Sequence, residues 1–327
     1  MSKPVIFSGV QPSGNLHIGN YLGAISQWVE MQEKNQCIFC VVDYHAITVK
    51  QEPAVLAKKI IEVAKIYLAL GIDPKKSIIF QQSAISAHTE LAWILNCVAR
   101  ISDLKKMTQF KDKAGEKEEN VSVGLYDYPV LMASDILLYN TDAVPVGDDQ
   151  SQHVELCREL ARRFNSQFGN TFKIPELKIK KEGARIMGLD DPAKKMSKSA
   201  GSEYNYISLV DKPEAAAKKI MKAVTDSGSE IKYDQKNKPA IANLLTIYSL
   251  LSGEAIKNLE NKYKGKGYGD FKKDLAEVVK KFLTDFQAKY NKISDKEVRK
   301  ILDDGAKKAQ AIADETLARA KKKIGVN

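Results

Sequence analysis

Short apolar runs alternate with amphipathic helical patterns through the first two-thirds of the chain, and few folds accommodate that alternation. Val5 to Val10 is one such run, ending in turn chemistry at Gln11-Pro12-Ser13-Gly14. Cys37 to Asp43 is almost purely apolar, as a strand covered on both faces must be. Residues 54–70 repeat apolar positions at helical spacing, with Pro53 at the start and Gly71 just past the end. Ser77 to Phe80 reads as a third strand and Ala87 to Ala99 as a helix. Ala143 to Val146 reads as a further strand, followed by a helix from about Asp148 to Phe164. Strands separated by helices imply an α/β fold: a parallel sheet with helical crossovers.

After about residue 205 the strand signal stops. Lys212 to Val224, Ile241 to Leu251, Phe271 to Tyr290 and Asp295 to Lys322 all read as amphipathic helices. Gly305 is expected to interrupt the last of them or split it. Two domains follow, 1–205 and 206–327.

Charge follows the same division. Of the net +10, residues 256–327 hold 19 Lys and Arg against 11 Asp and Glu, and the first 255 residues are nearly balanced. A basic tail on a near-neutral body suits a polyanionic partner, nucleic acid first, although a solvated helical face has the same composition. No apolar stretch reaches the roughly 18–20 residues that span a bilayer. The N-terminus lacks the long apolar core of a secretory signal, so a cytoplasmic location without membrane contact is expected. Four cysteines in 327 residues do not make a disulfide scaffold, and they are expected to be buried thiols. Cys37 and Cys40 match C-x-x-C, but positions three apart in a strand point to opposite faces.

The common phosphate, dinucleotide and zinc-protease motifs are absent. Two other elements stand out. The first is Pro12-Ser13-Gly14-Asn15-Leu16-His17-Ile18-Gly19-Asn20, directly after the first strand. A glycine turn that opens a helix can bring backbone N–H groups to a phosphate; alone, the tetrapeptide from His17 reads better as a surface cap. The second is Lys194-Lys195-Met196-Ser197-Lys198-Ser199, in a loop between Pro192 and Gly201. Lysines on a loop can follow a triphosphate, and the same residues alone would also suit a solvated surface.

Together, in this order and context, these two elements resemble the paired signature of class I aminoacyl-tRNA synthetases. Within that class the chain resembles bacterial-type tryptophanyl-tRNA synthetases. The match is carried by Phe7 to Gly14, Val42-Asp43-Tyr44-His45-Ala46-Ile47-Thr48, Tyr128 to Leu137, and Val144 to Gln150 with His153. Gly183-Ala184-Arg185-Ile186-Met187 and Gly265-Lys266-Gly267-Tyr268-Gly269 carry it further. It spans nearly the whole chain. One departure is Asn20, where the general class motif has a second histidine.

The resemblance implies a Rossmann-like catalytic domain over 1–205 and a helical tRNA anticodon-binding domain over 206–327. It implies that L-tryptophan and Mg-ATP, with Mg2+ accompanying the nucleotide, give tryptophanyl-adenylate and pyrophosphate before transfer to tRNA by a homodimer. No bound zinc or iron–sulfur cluster is expected. The implied catalytic residues are Lys195, Lys198, His17 and Gln11. Those implied at ATP are Gln11, Ser13, Gly14, His17, Gly19, Asn20, Gly147, Asp149, Gln150, Ile186, Lys195, Met196, Ser197, Lys198 and Ser199. Lys113 joins them if its polar loop reaches the nucleotide; a plain solvated loop is the other reading.

For the amino acid, indole offers one N–H donor on a flat apolar body, so its pocket needs one acceptor and an apolar wall. By resemblance Asp135 is the acceptor, and Phe7, Met132, Val144 and Val146 are the wall. Tyr128 and Gln150 hold the ammonium group, Gln11 the carboxylate, and His45 lies at the pocket edge. A tyrosyl-tRNA synthetase and a non-catalytic RNA-binding paralogue are the alternatives.

Overall fold

The computed structural model describes residues 3–107, 121–147, 150–179 and 185–326. Its centre is a parallel five-stranded sheet in the order β3-β2-β1-β4-β5. The strands are β1 Val5–Val10, β2 Gln36–Val41, β3 Ser77–Gln81, β4 Ala143–Val146 and β5 Glu176–Ile179. This bears out the expected α/β fold, and β5 adds a strand that the sequence reading lacked. Residues Cys37 to Val41 of β2 are wholly buried, paired with β1 on one side and β3 on the other. Strand order reverses between β1 and β4, where Ile6 pairs with Ala143. Such a reversal opens a crevice at the carboxyl ends of the two strands. The segments that begin at Gln11 and Gly147 leave the sheet there.

The main helices are α1 Ser26–Lys34, α2 Pro53–Ala69, α3 Ala87–Asn96, α4 Val123–Leu137, α5 Ser151–Phe168, α6 Pro213–Lys222, α7 Pro239–Ser252, α8 Ile256–Lys262, α9 Tyr268–Lys292 and α10 Asp295–Ile324. Pro53 sits at the first turn of α2, where its missing N–H costs nothing. Ser122 caps α4 by accepting from the Leu125 N–H at 3.3 Å. Cys37, Cys40 and Cys157 are buried, but Cys97, at the end of α3, is exposed, against expectation. It is the C-cap residue of that helix, two positions beyond buried Leu95.

Contacts divide the chain into two compact units. One is Met1–Ser13, Trp28–Lys181 and Ser294–Asn327; the other is Gly14–Gln27 and Glu182–Ile293. This differs from a single boundary near residue 205. In the second unit, residues 16–18 form a short ladder with 207–209: the Ile18 N–H donates to the Ile207 carbonyl at 2.9 Å, and the Leu209 N–H to the Leu16 carbonyl at 3.0 Å. The same unit packs α6 against α9.

The last helix, α10, belongs with the sheet and packs on β3, α2 and α3. It runs unbroken through Gly305, which therefore neither interrupts nor splits it. A Cβ at Gly305 would stand 1.8 Å from the Ile79 carbonyl oxygen. Glycine is there because the helix backbone touches the strand backbone, and no side chain fits between them. Gly305→Ala is expected to cost about 1–3 kcal/mol through overpacking. A lower midpoint in urea denaturation checks this; an unchanged midpoint would contradict the close approach.

Candidate active site

The structure gathers most of the expected residues into two clusters, one in each unit. In the second unit, the His17 turn and the lysine loop come together from positions some 180 residues apart. A Cβ at Gly19 would lie 2.9 Å from His17 Nδ1 and 3.3 Å from Met196 Sδ. Only glycine lets that turn close on both. The Asn20 side-chain oxygen accepts the His17 N–H at 3.0 Å, so Asn20 serves as a cap as well as a motif residue. His17 is buried, and its Nδ1 lacks a hydrogen-bond partner. Burial, and then the charge of Lys195, lowers its pKa to about 4, so the ring is neutral at physiological pH.

The lysine loop is pinned by its apolar member. Met196 is buried, as is Ile186, and the Met196 N–H donates to the Ile186 carbonyl at 3.0 Å. The Gly188 N–H donates to the Lys194 carbonyl at 2.8 Å, which makes a small two-stranded bridge. Buried Asn205 accepts the Ser197 N–H at 2.9 Å and donates to Asp190 at 2.6 Å. Lys195 and Lys198 stay exposed on this anchored frame. Lys198 Cδ passes 3.7 Å from the Cβ position of Gly14. Asn205 was missed in the sequence; a lone asparagine beyond the loop gives no periodic signal.

The first unit holds the other cluster. All four histidines of the chain are buried, and two of them sit on Asp135. Asp135 is 1% exposed, on α4. Its carboxylate accepts from His45 Nε2 at 2.7 Å, His88 Nδ1 at 2.6 Å and Gln82 Nε2 at 2.8 and 2.9 Å. Burial alone would raise its pKa; the hydrogen bonds from His45 and His88 outweigh that and hold it well below the usual carboxylate range. It is a buried, ionised acceptor. Beside it, Phe7 and Val144 belong to one apolar cluster, against which Met132 and Val146 pack. Phe7 stacks on Tyr139 with centroids 5.5 Å apart.

The Tyr128 hydroxyl pairs with His153 Nε2 at 2.8 Å, and burial pushes its pKa up to about 12. Gln150 is half-buried at the start of α5, its N–H donating to the Gly147 carbonyl at 2.9 Å. Gln11 is half-buried after β1, and Ser13 Oγ donates to its side-chain oxygen at 3.4 Å. Gln82, His88 and Tyr139 were not singled out from the sequence. Asp149 and Lys113 lie outside the described residues, as does the side chain of Ser199.

The family model for class I tRNA synthetases (W and Y) matches residues 1–284. The chain belongs to that family. It is 56% identical over 321 residues to a tryptophan–tRNA ligase of Caldanaerobacter subterraneus subsp. tengcongensis, covering 98% of each chain. A crystal structure of tryptophanyl-tRNA synthetase from Mycoplasma pneumoniae is 38% identical with a TM-score of 0.93, covering 100% of this chain and 99% of that one. The Campylobacter jejuni synthetase, solved in complex with ADP and tryptophan, is 39% identical with a TM-score of 0.82, covering 98% of this chain and 100% of that one. In this synthetase family the fold is thus shared over the full chain, and both clusters lie within the part matched by the family model.

Proposed function

We propose that these two clusters are the working parts of a tryptophan–tRNA ligase. The chain joins L-tryptophan to ATP, giving tryptophanyl-adenylate and pyrophosphate, and then transfers the amino acid to the 3′-terminal ribose of its tRNA. In the first step a carboxylate oxygen of tryptophan attacks the α-phosphorus, and the bond to the β-phosphate oxygen breaks. In the second, a ribose hydroxyl attacks the acyl carbon and AMP leaves. Neither step needs a covalent protein nucleophile, so the protein contributes positioning and charge stabilisation.

The observation that carries the reading is the buried, ionised Asp135 beside an apolar wall. An indole N–H can only donate and a carboxylate can only accept. Phe7, Met132, Val144 and Val146 pack the ring, Tyr128 and Gln150 take the ammonium group, and Gln11 takes the carboxylate. His45 closes the edge. Neutral His17, with Gly14, Gly19 and Asn20, holds the nucleotide without adding a fixed charge. Ser13, Gly147, Ile186, Met196 and Ser197 frame it, and Lys195 and Lys198 follow the leaving pyrophosphate. Mg2+ arrives with ATP on the phosphate oxygens; among the described residues no three or more His, Cys, Asp or Glu side chains form a metal-binding group.

Pyrophosphate–ATP exchange with tryptophan, tyrosine and phenylalanine in parallel tests the reading. Exchange driven by tryptophan is expected. Exchange driven by tyrosine would move the chain to the sister activity, and no exchange would make it a non-catalytic paralogue.

The domain roles belong to the same proposal: chemistry within residues 1–205, anticodon contacts within the basic helical residues 206–327. Residues 256–293 alone carry 10 lysines against 5 acids. Lys262 is tied to the Tyr248 hydroxyl at 3.1 Å and lies over the Tyr248 and Tyr263 rings, so replacing it disturbs a packed aromatic cluster. Lys266 also lies over the Tyr263 ring, 5.4 Å from its centroid, so Lys264 is the cleaner probe. Lys264→Ala, alone or with Lys266→Ala, is expected to weaken aminoacylation, most at low salt, and to leave exchange intact. Equal loss of both activities would contradict the placement.

A homodimer also belongs here. In the first unit Trp93, Ile101 and Val123 are 72%, 69% and 79% exposed. Asn96 bonds Asp127 and the Tyr126 hydroxyl bonds the Ile101 carbonyl, so these side chains share one region that a second copy would cover. The reading includes a cytoplasmic location; among the described residues no helix is long and apolar enough to cross a membrane.

A further inference from the structure

The carboxylate of Asp135 cannot hold itself in place. It sits at the end of a two-bond side chain, wholly buried, and a small rotation would carry its oxygens away from a ligand N–H. Of its three partners, His88 is the most firmly fixed. Its ring is completely buried, Nδ1 meets Asp135 Oδ1 at 2.6 Å, and Nε2 meets the Tyr139 hydroxyl at 2.7 Å. The Ser134 hydroxyl donates to the His88 backbone carbonyl at 2.6 Å. Ser134, Asp135 and Tyr139 all come from the end of α4 or the turn beyond it, so one imidazole and its own backbone are fastened to three points of that segment.

The direction of each bond follows from the acceptor-only carboxylate. Nδ1 must carry the proton that Asp135 accepts. In the tautomer with its proton on Nδ1, Nε2 is bare and the Tyr139 hydroxyl donates to it. Burial pushes the pKa of Tyr139 far up, so this hydroxyl keeps its proton. Phe7 stacks on the same Tyr139 ring. The tyrosine that orients His88 therefore also backs one face of the apolar wall.

We propose that His88, oriented by Tyr139, is a positioning residue that sets the carboxylate of Asp135 for recognition of the indole N–H. It contacts the acceptor rather than the substrate, and the proposal rests on the tryptophan reading above. Groups that hold a ligand-binding side chain in this way cost roughly 10- to 100-fold in affinity when removed from metal sites, and a similar scale is expected here.

The test uses the full chain and three variants. His88→Leu removes both ring nitrogens. His88→Asn keeps an amide N–H at the place of Nδ1. Tyr139→Phe removes only the hydroxyl that orients the ring. In pyrophosphate exchange, His88→Leu is expected to raise the KM for tryptophan about 10-fold or more, with the KM for ATP and the kcat at saturating tryptophan near wild type. His88→Asn is expected to restore most of the loss, and Tyr139→Phe to raise the tryptophan KM several-fold. Nitrogen-15 NMR of the wild-type chain should find His88 protonated at Nδ1.

Equal damage from Leu and Asn, KM values for tryptophan and ATP rising together, or a bare Nδ1 would each overturn the proposal. If His88→Leu does not fold, Tyr139→Phe decides: an unchanged tryptophan KM in that variant defeats the clamp. Failure of the tryptophan reading is separable, because it appears in the wild-type exchange before any variant is compared.

Discussion

Replacing Lys195 or Lys198 with alanine is expected to slow adenylate formation by about 100-fold or more each, while the affinity for tryptophan stays close to wild type. The loop explains why the effect should fall on the rate. Its backbone is held by buried Met196, by the bond to the Ile186 carbonyl and by Asn205, so an exposed lysine can be truncated without loosening the frame. What is lost is positive charge where pyrophosphate gathers negative charge as the bond to the α-phosphorus breaks. Pre-steady-state adenylate formation, paired with equilibrium binding of tryptophan, separates the two quantities. Wild-type rates at saturating ATP in both variants would remove the lysines from the phosphate path.

Asp135 carries the second large effect, on selectivity. Tryptophan, tyrosine and phenylalanine are all large aromatics, so apolar packing separates them poorly. A buried acceptor left unpaired penalises any side chain that cannot donate to it at that point. Asp135→Ala is expected to raise the KM for tryptophan roughly 10- to 150-fold, the worth of one hydrogen bond to a charged group, and to erode discrimination against the other two. ATP affinity should change little. The same substitution strands His45, His88 and Gln82 as buried donors, so thermal stability should fall as well.

Asp135→Asn should be milder. Its amide oxygen can still accept from His88, and His45 can meet the amide N–H with the bare Nε2 of its other tautomer. Competition kinetics between tryptophan and tyrosine provide the measurement. Unchanged selectivity and tryptophan KM in Asp135→Ala would reopen the tyrosine assignment.

Much of this was legible in the sequence because its signals are local. β1 to β4 are short apolar runs, and their burial on both faces leaves a nearly continuous hydrophobic string. The glycine turn and the lysine loop are recognisable because phosphate chemistry needs particular residues at close spacing. What stayed hidden depends on distant contacts. β5 is four residues at the sheet edge, with two charged positions among them, too brief for a periodicity to show. Gln82 and His88 lie 53 and 47 positions from Asp135 and have no motif of their own. Tyr139 offered a faint clue, being four residues beyond Asp135. Gly305 was misread because glycine within a helical pattern looks like a breaker, and only the strand lying against it reveals a packing role.

The return of α10 to β3 also bears on how the molecule is made. During synthesis the strands of the sheet leave the ribosome well before residue 294, and the helix that packs on β3, α2 and α3 begins only after it. Some 226 residues separate Ile79 from its close partner Gly305, a delay of about 10–45 seconds at ordinary elongation rates. Throughout that interval the nascent chain presents a bare, aggregation-prone sheet surface, and the second unit is synthesised while the first is still waiting to be closed. Synthesis that stops before residue 294 would therefore leave a product whose oldest strands were never covered.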